Sequence, residues 1–290
     1  MDSLTQIVLG GAVGEVVLGK KVGNKAVLWG AIAGTIPDLD VITKYFVDTI
    51  RANELHRGFS HSLVFCLIAA PILGWLVNKM YEKKGEADWK DWTKLFFWSL
   101  VTHPLLDIHT TWGTQFLWPL ENKFSYKNIF VVDPLYTLPF MVFLIMVMMQ
   151  NRTSAKRRKL NWLGIYISSG YMVLTLLLKA YTFQKFTRSL EKQGISYVEI
   201  ETKPTPLNSI LWTSNVETED SYLLGYYSLL DKDEDIKFDK FPKNYHLIED
   251  IKDIISIDVR WDTAVSNVKT KHNDIVEITS KLKNKTVTTG

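Results

Sequence analysis

HRGFSHSLVFCLIAAPILGWLVNK, residues 56–79, is the stretch on which the fold turns. From Leu63 to Val77 it carries no charge, and its length approaches the roughly 17 residues that a bilayer-spanning helix needs. Two histidines and an arginine precede it, and Lys79 follows. Comparable apolar runs cover Leu135 to Met149 and Trp162 to Leu178, and a fourth, Leu95 to Ile108, is interrupted by His103 and Asp107. A soluble protein can bury one such helix. Several in succession predict an α-helical polytopic membrane domain with about five membrane-embedded helices. Two shorter helices, at about 4–18 and 25–36, flank the polar KKVGNK of residues 20–25. Gly10, Gly14, Gly30 and Gly34, at four-residue spacing, allow their backbones to approach closely.

Outside these runs the chain changes character. It has 290 residues, 47% of them hydrophobic, with a formal net charge of +3, but these averages join two unlike parts. Residues 1–180 hold the apolar runs; residues 181–290 are rich in Lys, Asp, Glu, Ser and Thr. The amino-terminal 21 residues lack a leading basic region and carry Glu15 in their apolar stretch, so they are expected to stay attached rather than act as a secretory signal. The single cysteine, Cys66, excludes an internal disulfide and a cysteine-based zinc site. With no basic stripe to track a phosphate backbone, nucleic acid is not an expected partner.

The tail is expected to continue a membrane helix through YTFQKFTRSLEKQG (181–194). It then alternates through ISYVEIE (195–201), SILWTSNVET (209–218), SYLLGYYSLLD (221–231) and IISIDVRWD (254–262). Near period-two spacing of Val, Ile, Tyr and Trp predicts a small α+β, mainly antiparallel-sheet, soluble domain. Trp212, Tyr226 and Tyr227 either pack that sheet, the favoured reading, or line an entry to the membrane site.

Charge orients the spans. Basic residues collect in three loops: Lys20, Lys21 and Lys25; Lys79, Lys83, Lys84, Lys90 and Lys94; and Arg152 and Lys156 to Lys159. The positive-inside rule assigns all three to the cytoplasm. Following the helices in turn then brings GTIPDLD (34–40), HRGFSH (56–61) and HPLLDIH (103–109) to the opposite, extracytoplasmic face, together with the tail.

Ionisable groups at membrane depth are costly and mark function by default. His103 and Asp107, four apart, share one helix face, as two ligands of one metal or as a ligand and the carboxylate that orients it; a simple mutual pair is the plainer alternative. Gly58 permits a turn that swings His56 and His61 toward one point, with Ser60 as the expected cap of the next helix. Arg57 is suited to an anionic group or to an acid of the site. Pro37 predicts extended backbone, in which Asp38 and Asp40 point the same way. Asp38, Asp40, His56, His61, His103 and Asp107 are the candidate metal ligands. Asp38, Asp40 and Arg57 are the candidate catalytic groups.

MDSLTQ, GTIPDLD, HRGFSHS and HPLLD followed by TTWGTQFLWP resemble, in this order, the YdjM-like family of inner-membrane-associated metal-dependent hydrolases, one branch of which is described as LexA-binding. The resemblance covers roughly residues 1–180, and PTPLNSILW and YLLGYYSLLD in the tail are similar to longer members. The helical part also resembles, distantly, zinc-dependent phospholipase C and P1-type nuclease, whose His-xxx-Asp pair His103 and Asp107 would match. Many relatives read Thr-His where this chain has Thr5-Gln6, which puts a ligand at that position in doubt.

These readings predict a multi-pass protein of the cytoplasmic membrane that hydrolyses a phosphoester or phospholipid-like substrate through metal-activated water. Mixed imidazole and carboxylate ligands suit zinc, with manganese or iron as alternatives. Membrane lipid and a lipid-like or phosphorylated substrate are the expected partners; the sequence names no protein partner. The rival is a non-enzymatic membrane protein whose metal is structural and whose tail, or a cytoplasmic loop, binds a partner or regulator.

Overall fold

The computed structural model describes residues 1–47, 56–120, 122–231 and 235–243. The strand expected at 254–262 lies outside them, as do His246 and His272, the two tail histidines expected to be replaceable without loss of metal.

Among the described residues six α-helices form the amino-terminal part and its extension: α1 (Ser3–Val22), α2 (Asn24–Thr35), α3 (Leu63–Tyr81), α4 (Trp89–Asp107), α5 (Pro134–Met148) and α6 (Ala155–Lys192). Asp2 caps α1, Ser62 caps α3, and Asp88 with Asp91 forms a capping box on α4. Ser60, expected to cap α3, instead donates to Asp40, because a 3-10 turn over Phe59–His61 delays the helix start.

The α1–α2 hairpin is built on its glycines. A Cβ at Gly10 would lie 2.3 Å from the Gly30 carbonyl oxygen, and one at Gly34 would lie 2.3 Å from that of Gln6. Only hydrogen fits at such a crossing. Around the hairpin, one core joins Leu18, Val22 and Ala33 to Cys66, Trp92, Phe96 and Leu100 of α3 and α4. A second joins Val8, Ala12 and Val27 to Phe140, Leu144 and Met172 of α5 and α6.

The loops sort to two ends. At one, Lys21 pairs with Asp91, Glu86 with Lys25 and Arg152, and Asn24 donates to the Met148 carbonyl, so the three basic loops converge. At the other, Asp2 bonds Val131 and His103 meets the Gly34 carbonyl.

Of the roughly five membrane-embedded helices expected, two among the described residues are long and apolar enough to cross a bilayer: Leu63–Lys84 and Ala155–Lys192. Asn24–Thr35 with Pro37–Tyr45, bent by 42°, makes a third if counted as one broken span. The 15 residues of α5 extend only about 22 Å, short of the roughly 30 Å hydrocarbon core. In α4 the polar groups at Lys90, Asp91, Lys94, His103 and Asp107 dilute the hydropathy.

Beyond α6 the described residues form a four-stranded antiparallel sheet in the order β1-β2-β3-β4: Glu199–Pro204, Leu211–Glu217, Ser221–Ser228 and Phe238–Pro242. Trp212 and Tyr227 are buried against Phe186 of α6, while Tyr226 is exposed. The two buried rings therefore pack the sheet, as favoured. The sheet is tied to the non-basic end of the bundle: Lys127 pairs with Glu201, and Ser209 and Tyr171 both bond Asp133, the cap of α5.

Candidate metal centre

Three elements meet at the non-basic end. The i,i+4 spacing on α4 turns His103 and Asp107 to one side, as expected. The turn Phe59–His61 buries His61 beside them. After α2, Pro37–Tyr45 is a 3-10 helix rather than extended backbone. Pro37 sits at its first position, where its missing N–H costs nothing. Residues two apart in a three-residue turn diverge. Asp38 and Asp40 thus approach His61 from opposite sides of its ring: Asp38 Oδ1 lies 3.3 Å from Nε2, and Asp40 Oδ2 lies 3.3 Å from Nδ1.

Asp38, His61, His103 and Asp107 each place one donor atom within 4.8 Å of the other three. Their protonation follows from the partners behind them. His103 Nδ1 is 2.6 Å from the Gly34 carbonyl, which only accepts, so Nδ1 carries the proton. Ser60 Oγ spends its proton on Asp40, and His61 Nδ1, 3.0 Å from that hydroxyl, donates toward Ser60 and Asp40. With both Nδ1 atoms engaged from behind, the two Nε2 atoms face each other 3.1 Å apart. Asp38 Oδ1 stands 3.4 Å from His103 Nε2. Asp107 Oδ2 is 3.8 and 3.9 Å from the two Nε2 atoms, buried and without a hydrogen-bond partner among the described residues.

Two imidazole nitrogens and two carboxylate oxygens gather around one point. A tetrahedral cation with ligands at about 2.0 Å sets its donors about 3.3 Å apart, close to these separations. The residues fit a divalent metal, and their mixed nitrogen and oxygen donors suit zinc, manganese or iron.

The remaining expected residues lie around this group. Asp40 orients: its oxygens receive the Arg57 backbone N–H (3.0 Å) and Ser60, and meet His56 Nδ1 at 2.8 Å. His56 is half-exposed, behind Asp40 rather than at the four-atom group. Arg57 is buried at positive φ, donates to Thr110, and holds Nε 3.6 Å from Asp107 Oδ2. Gln6 is buried and donates to Asp107 Oδ1 (2.8 Å), which also receives the Met1 amino group. Gln6 thus steadies Asp107 from behind. His109 stands outside the group, hydrogen-bonded to Asn128, and burial keeps its imidazole below the usual pKa. The sequence reading missed Thr110 and the Gly34 carbonyl. A backbone acceptor leaves no signal in residue type, and one threonine among many is unremarkable.

The fold and this site define a helical, membrane-associated protein with a group of two histidines and two aspartates, three of them buried, at one end of its bundle. Its family is equally definite. The chain belongs to the YdjM inner membrane protein family, which matches residues 1–184. Among curated proteins it is 33% identical over 132 residues to the inner membrane protein YbcI of Escherichia coli (strain K12), covering 42% of this chain and 74% of YbcI. It is 30% identical over 133 residues to YfhP of Bacillus subtilis (strain 168), covering 42% of this chain and only 38% of YfhP. No solved structure matches.

Proposed function

We propose that the protein is a membrane-embedded, metal-dependent hydrolase of phosphoester or phospholipid-like substrates. The observation that carries this reading is the set of two imidazole nitrogens and two carboxylate oxygens gathered within 4.8 Å of one another, three of the four residues buried. Asp38, His61, His103 and Asp107 would hold the cation, which when bound supplies Lewis acidity and an acidified water. The chain's own groups do the rest. Asp40 and the Gly34 carbonyl hold the two imidazoles in their ligating tautomers. Asp38, whose side chain is 26% exposed while the other three are fully buried, marks the open side; its Oδ2, the oxygen not turned to the imidazoles, would take the proton of an attacking water. Arg57 beside Asp107 binds the anionic group of the substrate. Leu39, Ile42, Phe59 and Trp118 are exposed on the segments around Asp38 and His61 and suit an amphiphile. In this reading the protein is multi-pass, with its basic loops cytoplasmic and the site and sheet extracytoplasmic.

Elemental analysis of detergent-purified protein should find a transition metal that His103→Ala loses. The loaded protein should cleave a phosphodiester or a phospholipid in mixed micelles, and a chelator should stop it. Four protein donors around one point also favour a second reading, because closed sites are structural. Stoichiometric metal with no hydrolysis across a broad phosphoester panel would select that non-enzymatic reading and overturn the first.

A further inference from the structure

The other end of the bundle carries a cavity of about 220 Å³ between α1 and the start of α6, and nothing in the metal chemistry uses it. Its wall includes Glu15 and Arg157, both buried and joined by two hydrogen bonds of 2.7 and 2.6 Å. A third guanidinium hydrogen bond runs to the Gln150 carbonyl at 2.8 Å, and the charge of Arg157 is matched by Glu15. Arg152 also lines the cavity but is held by the Lys21 carbonyl and Glu86. That leaves Lys20 and Arg158. Both are exposed and have no side-chain partner among the described residues. The same wall continues into Val16 and Trp162, which are 42% and 39% exposed.

An unmatched double positive charge calls for an anion, and an adjoining exposed apolar wall calls for hydrocarbon attached to it. The two helices that line the cavity are a hairpin helix of the bundle and a helix long enough to cross a bilayer. We propose that this cavity is a binding site for the phosphate headgroup of an anionic lipid, with Lys20 and Arg158 on the phosphate and the first acyl carbons along Val16 and Trp162. Glu15 and Arg157 form the rigid floor. The lipid joins α1 to α6 at the end away from the metal centre, a structural ligand rather than a substrate.

The test uses the full chain in a neutral detergent, with lipid binding counted by native mass spectrometry. Phosphatidylglycerol should bind saturably at one molecule per chain, and phosphatidylcholine with the same acyl chains should not. Lys20→Gln/Arg158→Gln, two exposed positions, should weaken phosphatidylglycerol binding roughly 10- to 30-fold. Lys83→Gln/Lys90→Gln removes as much charge from the same end, outside the cavity, and should leave binding within about twofold. Equal loss in both variants would mean diffuse surface charge, and no loss in the first would place the lipid elsewhere; either overturns the site. Displacement of the lipid by millimolar inorganic phosphate would overturn the lipid assignment in favour of a free anion.

Discussion

Asp40 touches both imidazoles of the HRGFSH stretch and stands outside the four-donor group, which gives the site a testable hierarchy. Replacing a donor, as in His103→Ala or Asp107→Ala, should abolish stoichiometric metal. Asp40→Asn keeps the shape but removes the charge that fixes His61, and should weaken metal binding about 10- to 100-fold in a chelator competition. His109→Ala should leave metal content unchanged; if it matches Asp40→Asn, the role given to Asp40 is wrong. Much of this was legible in the sequence: helical spacing places His103 with Asp107 whatever surrounds them. The parting of Asp38 and Asp40 was not, because it depends on a 3-10 turn that Pro37 permits as readily as extended backbone. Ser60 and Ser62 are likewise both plausible caps, and only the turn before them decides.

Among the elements, the α1–α2 crossing is the least tolerant of change. Gly30→Val puts a β-branched side chain where the Gly10 carbonyl oxygen would lie 2.2 Å from Cβ. Overpacking of this kind costs about 1–3 kcal/mol or more, and loss of a cooperative thermal transition in detergent is the expected result. The ion pair between Glu15 and Arg157 makes the opposite kind of prediction. Arg157→Met strands a buried carboxylate and should cost about 3–5 kcal/mol, whereas Glu15→Leu/Arg157→Met should recover most of it. A double variant no more stable than the single one would show that these helices need the charges themselves. Helix positions were readable from the apolar runs, and three strands from alternation. The fourth, Phe238–Pro242, was not: it is a largely exposed edge strand, so little in its side chains records a buried face.

For the whole molecule, two measurements bear on how the sheet sits against the bundle. A reporter active only in the cytoplasm, fused after Gly290, should stay silent; strong activity would invert the proposed orientation. The second is pH. Burial raises the Glu201 pKa, but the hydrogen bond and charge of Lys127 outweigh it and hold the carboxyl below its ordinary 4.5. The stability this adds is complete above that ordinary value and is lost as pH falls through the lower folded value. Lys127→Ala should therefore melt earlier than the parent at pH 7, and the gap should close in strong acid. A gap unchanged by acid would remove the pair from the docking contact.

The 38 residues of α6 run about 57 Å without a break, nearly twice the thickness of a hydrocarbon core. One continuous helix therefore carries the sheet as a camshaft carries a cam, fixing its height and its angle together. Deleting one residue between Leu178 and Phe186 would lower the sheet by about 1.5 Å and turn it by about 100°, swinging Glu201 and Ser209 away from Lys127 and Asp133. Deleting seven would nearly restore the angle while lowering the sheet by about 10 Å. Any process that depends on the sheet should then vary with the phase of the deletion rather than with its size.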